Sequence, residues 1–314
     1  MGDLVLLPWA DHATALDGAT DGLEVELYDG SREPSAKSLE RTAFYVPPYM
    51  SASNTVALIE AMPHLRVMQT LTAGVDNVWP HLRDGVTLCN AAGVHDASTA
   101  ELTLGLILAS LRGIDDYARA MTTGTWTNAR RESLADKQVL VIGHGHVGQA
   151  IIARLLPFEV DVARVGSRAR VLDDGTPVHG IDEVGALLPT ADVVVLIVPQ
   201  TFETTGLVDA QFLAQMKQGA LLVNVARGPV VVTEDLLDAV RRGHVRAALD
   251  VTDPEPLPAD HALWSTPGVL ISPHIGGFTS AFLPRAHRVV ADQLRRWASG
   301  QPLANVMTRP TTLD

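Results

Sequence analysis

Several absences bound what this chain can be. Its 314 residues include one cysteine, Cys89, so no disulfide can form within it. That fits a reducing compartment such as the cytoplasm. Cys89 ends the apolar run Val86-Thr87-Leu88-Cys89 and reads as a buried structural thiol. No apolar stretch reaches the roughly 18 residues that a membrane span requires. The N-terminal Met-Gly-Asp-Leu-Val-Leu-Leu-Pro-Trp has no basic flank and only four consecutive apolar residues, so it is not expected to act as a signal peptide. Position 6 is Leu rather than Ser or Thr, so myristoylation is not expected. Basic charge is also scarce, with 24 Lys and Arg against 36 Asp and Glu, a net of −12. A nucleic-acid or anionic-membrane binder needs a basic field, and this chain has none. A small acid held by local donors is not excluded. There is no low-complexity tract and no short-period repeat.

What is present reads as globular: 46% of residues are hydrophobic and 19% charged. The length suits two domains. Short apolar runs alternate with helix-like stretches throughout. The strand candidates are Leu4–Trp9, Leu23–Tyr28, Ala43–Val46, Arg66–Leu71 and Val86–Cys89, then Val139–Ile142, Val162–Gly166, Val193–Val198, Ala220–Val225, Ala247–Val251 and Val269–Ile271. Many are continuous rather than alternating, as expected of strands buried on both faces of a parallel sheet. They are too many for one ordinary sheet, which predicts two doubly wound α/β units. Between the two sets, Ser98 and Glu101 have capping-box spacing ahead of the apolar helix 102–111, which is expected to lie buried or at a subunit contact. A C-terminal helix is predicted over Arg285–Ser299, with Gly300-Gln301-Pro302 as its stop.

The run Val139-Leu140-Val141-Ile142 leads into Gly143-His144-Gly145-His146-Val147-Gly148 and then a helix-like segment. This is the strand–turn–helix setting that makes Gly-x-Gly-x-x-Gly a dinucleotide signature. Gly143 permits the turn, Gly145 lets backbone approach a pyrophosphate, and Gly148 lets helix and strand pack. The anion then meets free N–H groups at a helix N-terminus. His144 and His146 look like a metal pair, but they lie where phosphate must sit, so no metal is expected. An NAD-specific site carries an acidic residue about 20 positions on, at the end of the next strand. Here that corner reads Gly166-Ser167-Arg168-Ala169-Arg170. Ser167, Arg168 and Arg170 could contact a 2′-phosphate, which predicts a preference for NADP over NAD.

Three later segments place polar residues where apolar strands end: Asn224-Val225-Ala226-Arg227-Gly228, Asp250-Val251-Thr252-Asp253-Pro254-Glu255-Pro256-Leu257 and Ser272-Pro273-His274-Ile275-Gly276-Gly277. The carboxyl ends of parallel strands open onto one crevice, so Arg227, Glu255 and His274 are expected to converge. A guanidinium binds a carboxylate bidentately, a histidine moves protons near neutral pH, and a carboxylate orients the histidine.

With these motifs in this order and spacing, the chain resembles the D-isomer-specific 2-hydroxyacid dehydrogenase family over almost its whole length, including its glyoxylate/hydroxypyruvate reductase-like and phosphoglycerate dehydrogenase-like members. The resemblance implies a Rossmann cofactor domain, 98–284, inserted into a flavodoxin-like substrate domain made of 1–97 and 285–314, with the acid bound in the cleft between them. It implies that Arg227 binds the substrate carboxylate, that His274 is the acid/base and that Glu255 is its partner. It gives the substrate also to the backbone of Ala73 and Gly74 in the loop Thr72-Ala73-Gly74-Val75-Asp76, and places pocket-lining residues near Pro47, Pro48, Tyr49 and Met50. Cofactor contacts would come from Gly143, Gly145, His146, Val147, Gly148, Ser167, Arg168, Arg170, Val198, Pro199, Thr204, Ala226, Asp250 and Gly276, with Asp250 near the nicotinamide carboxamide. Phe202 stands where the family commonly has proline. Homodimers through the cofactor domains are usual in the family. Two other activities stay open: a formate or phosphite dehydrogenase, against whose formate form Glu255 speaks, and a non-catalytic dinucleotide-sensing protein such as a corepressor.

Overall fold

The computed structural model describes residues 3–50 and 54–309. The chain divides into two compact units, one running to His95 and resuming at Ser280, the other Asp96–Thr279. These crossings lie two and five residues before the sequence-based boundaries of 97 and 285.

The first unit holds β1 (Leu4–Leu7), β2 (Glu24–Leu27), β3 (Thr42–Tyr45), β4 (Val67–Gln69) and β5 (Thr87–Cys89), all parallel in the order β2-β1-β3-β4-β5. That is the flavodoxin-like order. β1 shows why its sequence is continuously apolar. Val5 and Leu7 enter one core cluster, while Leu4 and Leu6 enter another on the opposite face. The C-terminal helix Phe282–Ala298 closes the first cluster with Ala286, Val290 and Leu294. It begins three residues before the sequence-based start at Arg285.

The second unit holds β6 (Gln138–Ile142), β7 (Asp161–Val165), the short hairpin strands β8 (Arg170–Val171) and β9 (Pro177–Val178), and β10 (Val193–Leu196), β11 (Ala220–Asn224), β12 (Val245–Leu249) and β13 (Val269–Ile271). Six of these form a parallel sheet in the order β13-β12-β11-β10-β6-β7. β10 repeats the two-faced logic: Val193 and Val195 pack on one side, Val194 and Leu196 on the other. The order reverses between β6 and β10, a topological switch point of the kind that receives ligands in open α/β sheets.

Helix Asp96–Arg112 starts two residues before Ser98. The capping box expected of Ser98 and Glu101 therefore does not form. Ser98 lies inside the first turn, and its hydroxyl instead bonds Thr279 Oγ1 at 2.8 Å. A partner 181 residues away in the chain outcompeted a local cap. Gly113, at φ 61°, separates this helix from the next, Ile114–Met121. Among the described residues no single helix is long and apolar enough to cross a membrane. This pair reaches that length and composition only across a 72° bend.

Candidate active site

The sheet of the second unit ends in one row. Val165, Ile142, Leu196, Asn224, Leu249 and Ile271 are successive register partners across six neighbouring strands. Every candidate segment of this unit leaves from that row.

After Ile142 comes the glycine turn. Gly143 has φ 119°, and a Cβ there would lie 2.2 Å from the Ile197 carbonyl oxygen. A Cβ at Gly148 would lie 2.0 Å from the Gly143 carbonyl oxygen. Both glycines are thus required by close backbone approach. Gly145 has nothing within 4 Å of its would-be Cβ, so backbone is open to an approaching ligand there. Gly145 also starts helix His146–Leu155 with no side-chain cap, leaving the first amides without a side-chain acceptor. An uncapped helix N-terminus behind a Cβ-free turn fits the pyrophosphate of a dinucleotide. His146 is exposed at that terminus, 4.0 Å from Asp96, and Val147 packs partly against the core. Beyond β7, Ser167, Arg168 and Arg170 are all exposed, and no acidic residue follows Val165 at the strand end. Beyond β10, Thr204 closes the loop 199–204 by donating to the Pro199 carbonyl at 2.7 Å and accepting from Thr201 N–H at 2.8 Å. Val198 packs at the base of that loop, and Phe202 is 92% exposed at its tip.

The other three strand ends carry the acid–base candidates. Asn224 shapes the first turn: its amide oxygen accepts from Ala226 N–H and its amide nitrogen donates to the Arg227 carbonyl, both at 3.0 Å. Arg227 Nη1 donates back to the Ala226 carbonyl at 2.8 Å. Next comes Gly228, whose would-be Cβ lies 1.9 Å from the Thr252 carbonyl oxygen. The turn after β11 is therefore pressed directly onto the segment after β12, the segment that carries Glu255.

Asp250, buried at 3% exposure, ties that segment to the one after β13. Its Oδ1 accepts from Ser272 Oγ at 2.6 Å and Ile275 N–H at 2.9 Å, and its Oδ2 from Gly276 N–H at 2.9 Å. The Asp250 carbonyl accepts from His274 N–H at 2.7 Å. His274 itself sits at φ 53°, a left-handed conformation uncommon for a residue with a side chain. In that conformation its Nδ1 meets Glu255 Oε1 at 2.5 Å, with the two side chains 39% and 42% exposed. A carboxylate only accepts, so Nδ1 is the donor in this contact. The imidazole beside it holds the Glu255 carboxyl below its ordinary value against the opposing effect of burial, and the positive charge of Arg227 acts in the same direction. Asn224, Ser272 and Thr252 were visible in the sequence only as motif letters. Asn224 acts within its own turn, whereas Ser272 and Thr252 meet segments more than 20 residues away in the chain.

In the first unit, the loop 72–76 is braced through its carbonyls. Thr70 Oγ1 donates to the Thr72 carbonyl, Asn90 Nδ2 to Ala73 and Thr72 Oγ1 to Gly74, at 2.9, 2.7 and 2.7 Å. Nearby, Tyr49 packs 4.1 Å from the Phe282 ring and stacks at 5.5 Å on His95, whose Nε2 bonds the Leu71 carbonyl at 2.8 Å. Met50 is 59% exposed.

The chain is similar to known proteins. The family model for the NAD-binding domain of D-isomer-specific 2-hydroxyacid dehydrogenases matches residues 104–276. The glyoxylate reductase/hydroxypyruvate reductase of Homo sapiens is 30% identical over 94% of this chain and 93% of its own length. A D-isomer-specific 2-hydroxyacid dehydrogenase from Xanthobacter autotrophicus, solved with NADPH and MES, superposes with a TM-score of 0.80 at 30% identity over 98% of each chain. The NADPH-dependent glyoxylate/hydroxypyruvate reductase of Sinorhizobium meliloti, solved with NADP and sulfate, gives a TM-score of 0.81 at 26% identity over 98% of each chain. The chain spans about half the length of several D-3-phosphoglycerate dehydrogenases that it also matches. The chain belongs to the D-isomer-specific 2-hydroxyacid dehydrogenases, oxidoreductases that use NAD or NADP.

Proposed function

We propose that this protein interconverts a small 2-keto acid of the glyoxylate or hydroxypyruvate class with the corresponding 2-hydroxy acid, of D configuration where that carbon is chiral, preferring NADPH. The observation that carries the reading is the 2.5 Å contact of His274 Nδ1 with Glu255, beside the turn that bears Arg227. Bound NADPH supplies the hydride. Arg227 binds the substrate carboxylate through its planar fork and draws charge onto the ketone oxygen. His274, charged by a proton on Nε2, gives that proton to the oxygen as the ketone is reduced, and takes it back in the reverse direction. Glu255 fixes the tautomer and stabilises the charged ring. Asp250 holds the loop that carries His274. The Ala73 and Gly74 amides of the other unit are donors suited to a carboxylate. The NADPH preference is supported by Ser167, Arg168 and Arg170 where an NAD site has an acid. A cytoplasmic homodimer belongs to the same reading, and exposed Ile114, Met121 and Trp126 on the cofactor-binding unit suit such a contact.

The test is a spectrophotometric assay with glyoxylate, hydroxypyruvate, pyruvate and longer 2-keto acids, each with NADPH and NADH. Turnover of glyoxylate and hydroxypyruvate, faster with NADPH, is expected. Tight dinucleotide binding with no turnover of any acid would replace the enzyme with a sensor.

A further inference from the structure

We infer that His144, the residue between the first two glycines of the phosphate turn, is a positioning residue for adenosine 2′-phosphate recognition, holding the Arg170 guanidinium over the end of β7. This rests on the NADPH preference proposed above and assigns its discrimination to a specific pair.

The geometry is a clasp between segments 26 residues apart. Arg170 Nη2 donates to His144 Nδ1 at 3.0 Å. Arg170 lies in the hairpin strand β8, yet its side chain folds back over Gly166, the residue that follows β7. A Cβ at Gly166 would lie 2.7 Å from Arg170 Nη1. Gly166 does not adopt a positive φ, so space is what calls for glycine here. The room left by the missing side chain is filled by a guanidinium. Nη1 also reaches the Arg168 carbonyl at 3.5 Å. Two acceptors thus fix the fork, and its remaining donors are left for an anion.

His144 serves this role as a neutral acceptor. Its burial pushes it below the ordinary histidine value, and the charges of Arg170 and Arg164 push the same way. A neutral ring accepts from Arg170 at Nδ1 without adding a competing cation. A long arginine side chain left free loses rotamer freedom on gripping a phosphate; one already held loses less. His144 therefore acts on the 2′-phosphate through Arg170. The turn's three glycines, by contrast, serve the pyrophosphate common to both cofactors.

The full-length protein can be tested without turnover, by calorimetric titration with 2′,5′-ADP and with 5′-ADP. His144→Leu removes the acceptor, and His144→Asn returns one near the Nδ1 position. The ratio of affinities, 2′,5′-ADP over 5′-ADP, is expected to fall about 3- to 10-fold in His144→Leu, the worth of one net hydrogen bond. It should recover in His144→Asn. The KM ratio of NADPH to NADH should rise correspondingly. A merely structural role in the turn would weaken both probes alike and leave the ratio intact, overturning the inference while the NADPH preference stands. Equal binding of the two probes by the unmodified protein would instead remove the NADPH preference and the inference with it.

Discussion

Gly276 donates its amide N–H to Asp250 Oδ2 at 2.9 Å, and a side chain at 276 would begin 3.0 Å from that same oxygen. The loop that presents His274 thus hangs from a buried carboxylate on the neighbouring strand end. With Ser272 Oγ and Ile275 N–H on Oδ1, Asp250 serves three donors. Asp250→Asn keeps the shape but turns one acceptor into a donor facing an N–H. Hydrogen bonds to a charged group contribute about 1.5–3 kcal/mol each, so a loss of that order in stability is expected. Turnover should fall because His274 is no longer held in place. Thermal melts and initial rates on the variant check both. Wild-type values in both would show that the carboxylate is not the anchor.

His274 and Glu255 should separate by degree. His274→Ala removes the proposed proton carrier and is expected to lower kcat by about 10²- to 10⁴-fold, the usual worth of general acid–base catalysis. Glu255→Gln keeps an oxygen that accepts from Nδ1 but loses the charge that stabilises the imidazolium, so the fall should be smaller. Dinucleotide titration should still register binding in both, since the glycine turn lies elsewhere on the sheet. Unchanged kcat in His274→Ala would remove that residue from the mechanism.

The parts of this arrangement differed in how openly the sequence displayed them. The strand cores were legible because two-faced burial leaves a continuous apolar signature, as in Val193–Leu196. Arg227, Glu255 and His274 were legible because each follows an apolar strand by a few residues. The start of helix Asp96–Arg112 is not legible in the sequence: Ser98 and Glu101 satisfy a local pattern, and only the distant Thr279 defeats it. The hairpin β8–β9 leaves no sequence signal, since strands of two residues carry no periodicity. The clasp of Arg170 on His144 and the three donors on Asp250 are pairings over 22 to 26 residues that only the folded sheet creates.

The His274–Glu255 contact also has a pH signature. Glu255 has its carboxyl held below the ordinary value in the folded protein. A depressed carboxylate contributes stability above the unfolded value of about 4.3, and that contribution is lost as the pH falls through the folded value. Both side chains are well over a third exposed, so solvent screening limits the effect to about 0.2–1 kcal/mol. Melting temperature followed from about pH 5 down to pH 3 should therefore drop less steeply in Glu255→Gln than in the wild type. Parallel curves would mean that the ion pair adds nothing to folding.

Cys89 offers a probe of the other unit. It is 0% exposed at the end of β5, inside the cluster closed by Val290 and Leu294, and burial pushes its thiol up to about 11. Reaction with a disulfide reagent needs both access and thiolate, and the native protein supplies neither at neutral pH. The chain's one thiol should therefore stay unmodified in buffer and react fully in denaturant. Cys89→Ser puts a hydroxyl into an apolar cluster whose polar neighbour is the buried Gln293 side chain. Its cost should reach about 1–3 kcal/mol unless that hydroxyl finds an acceptor, with the turnover of the folded fraction retained. Rapid labelling of the native protein would mean that this core opens far more readily than its packing implies. A loss of turnover without a loss of stability would move Cys89 from packing to chemistry.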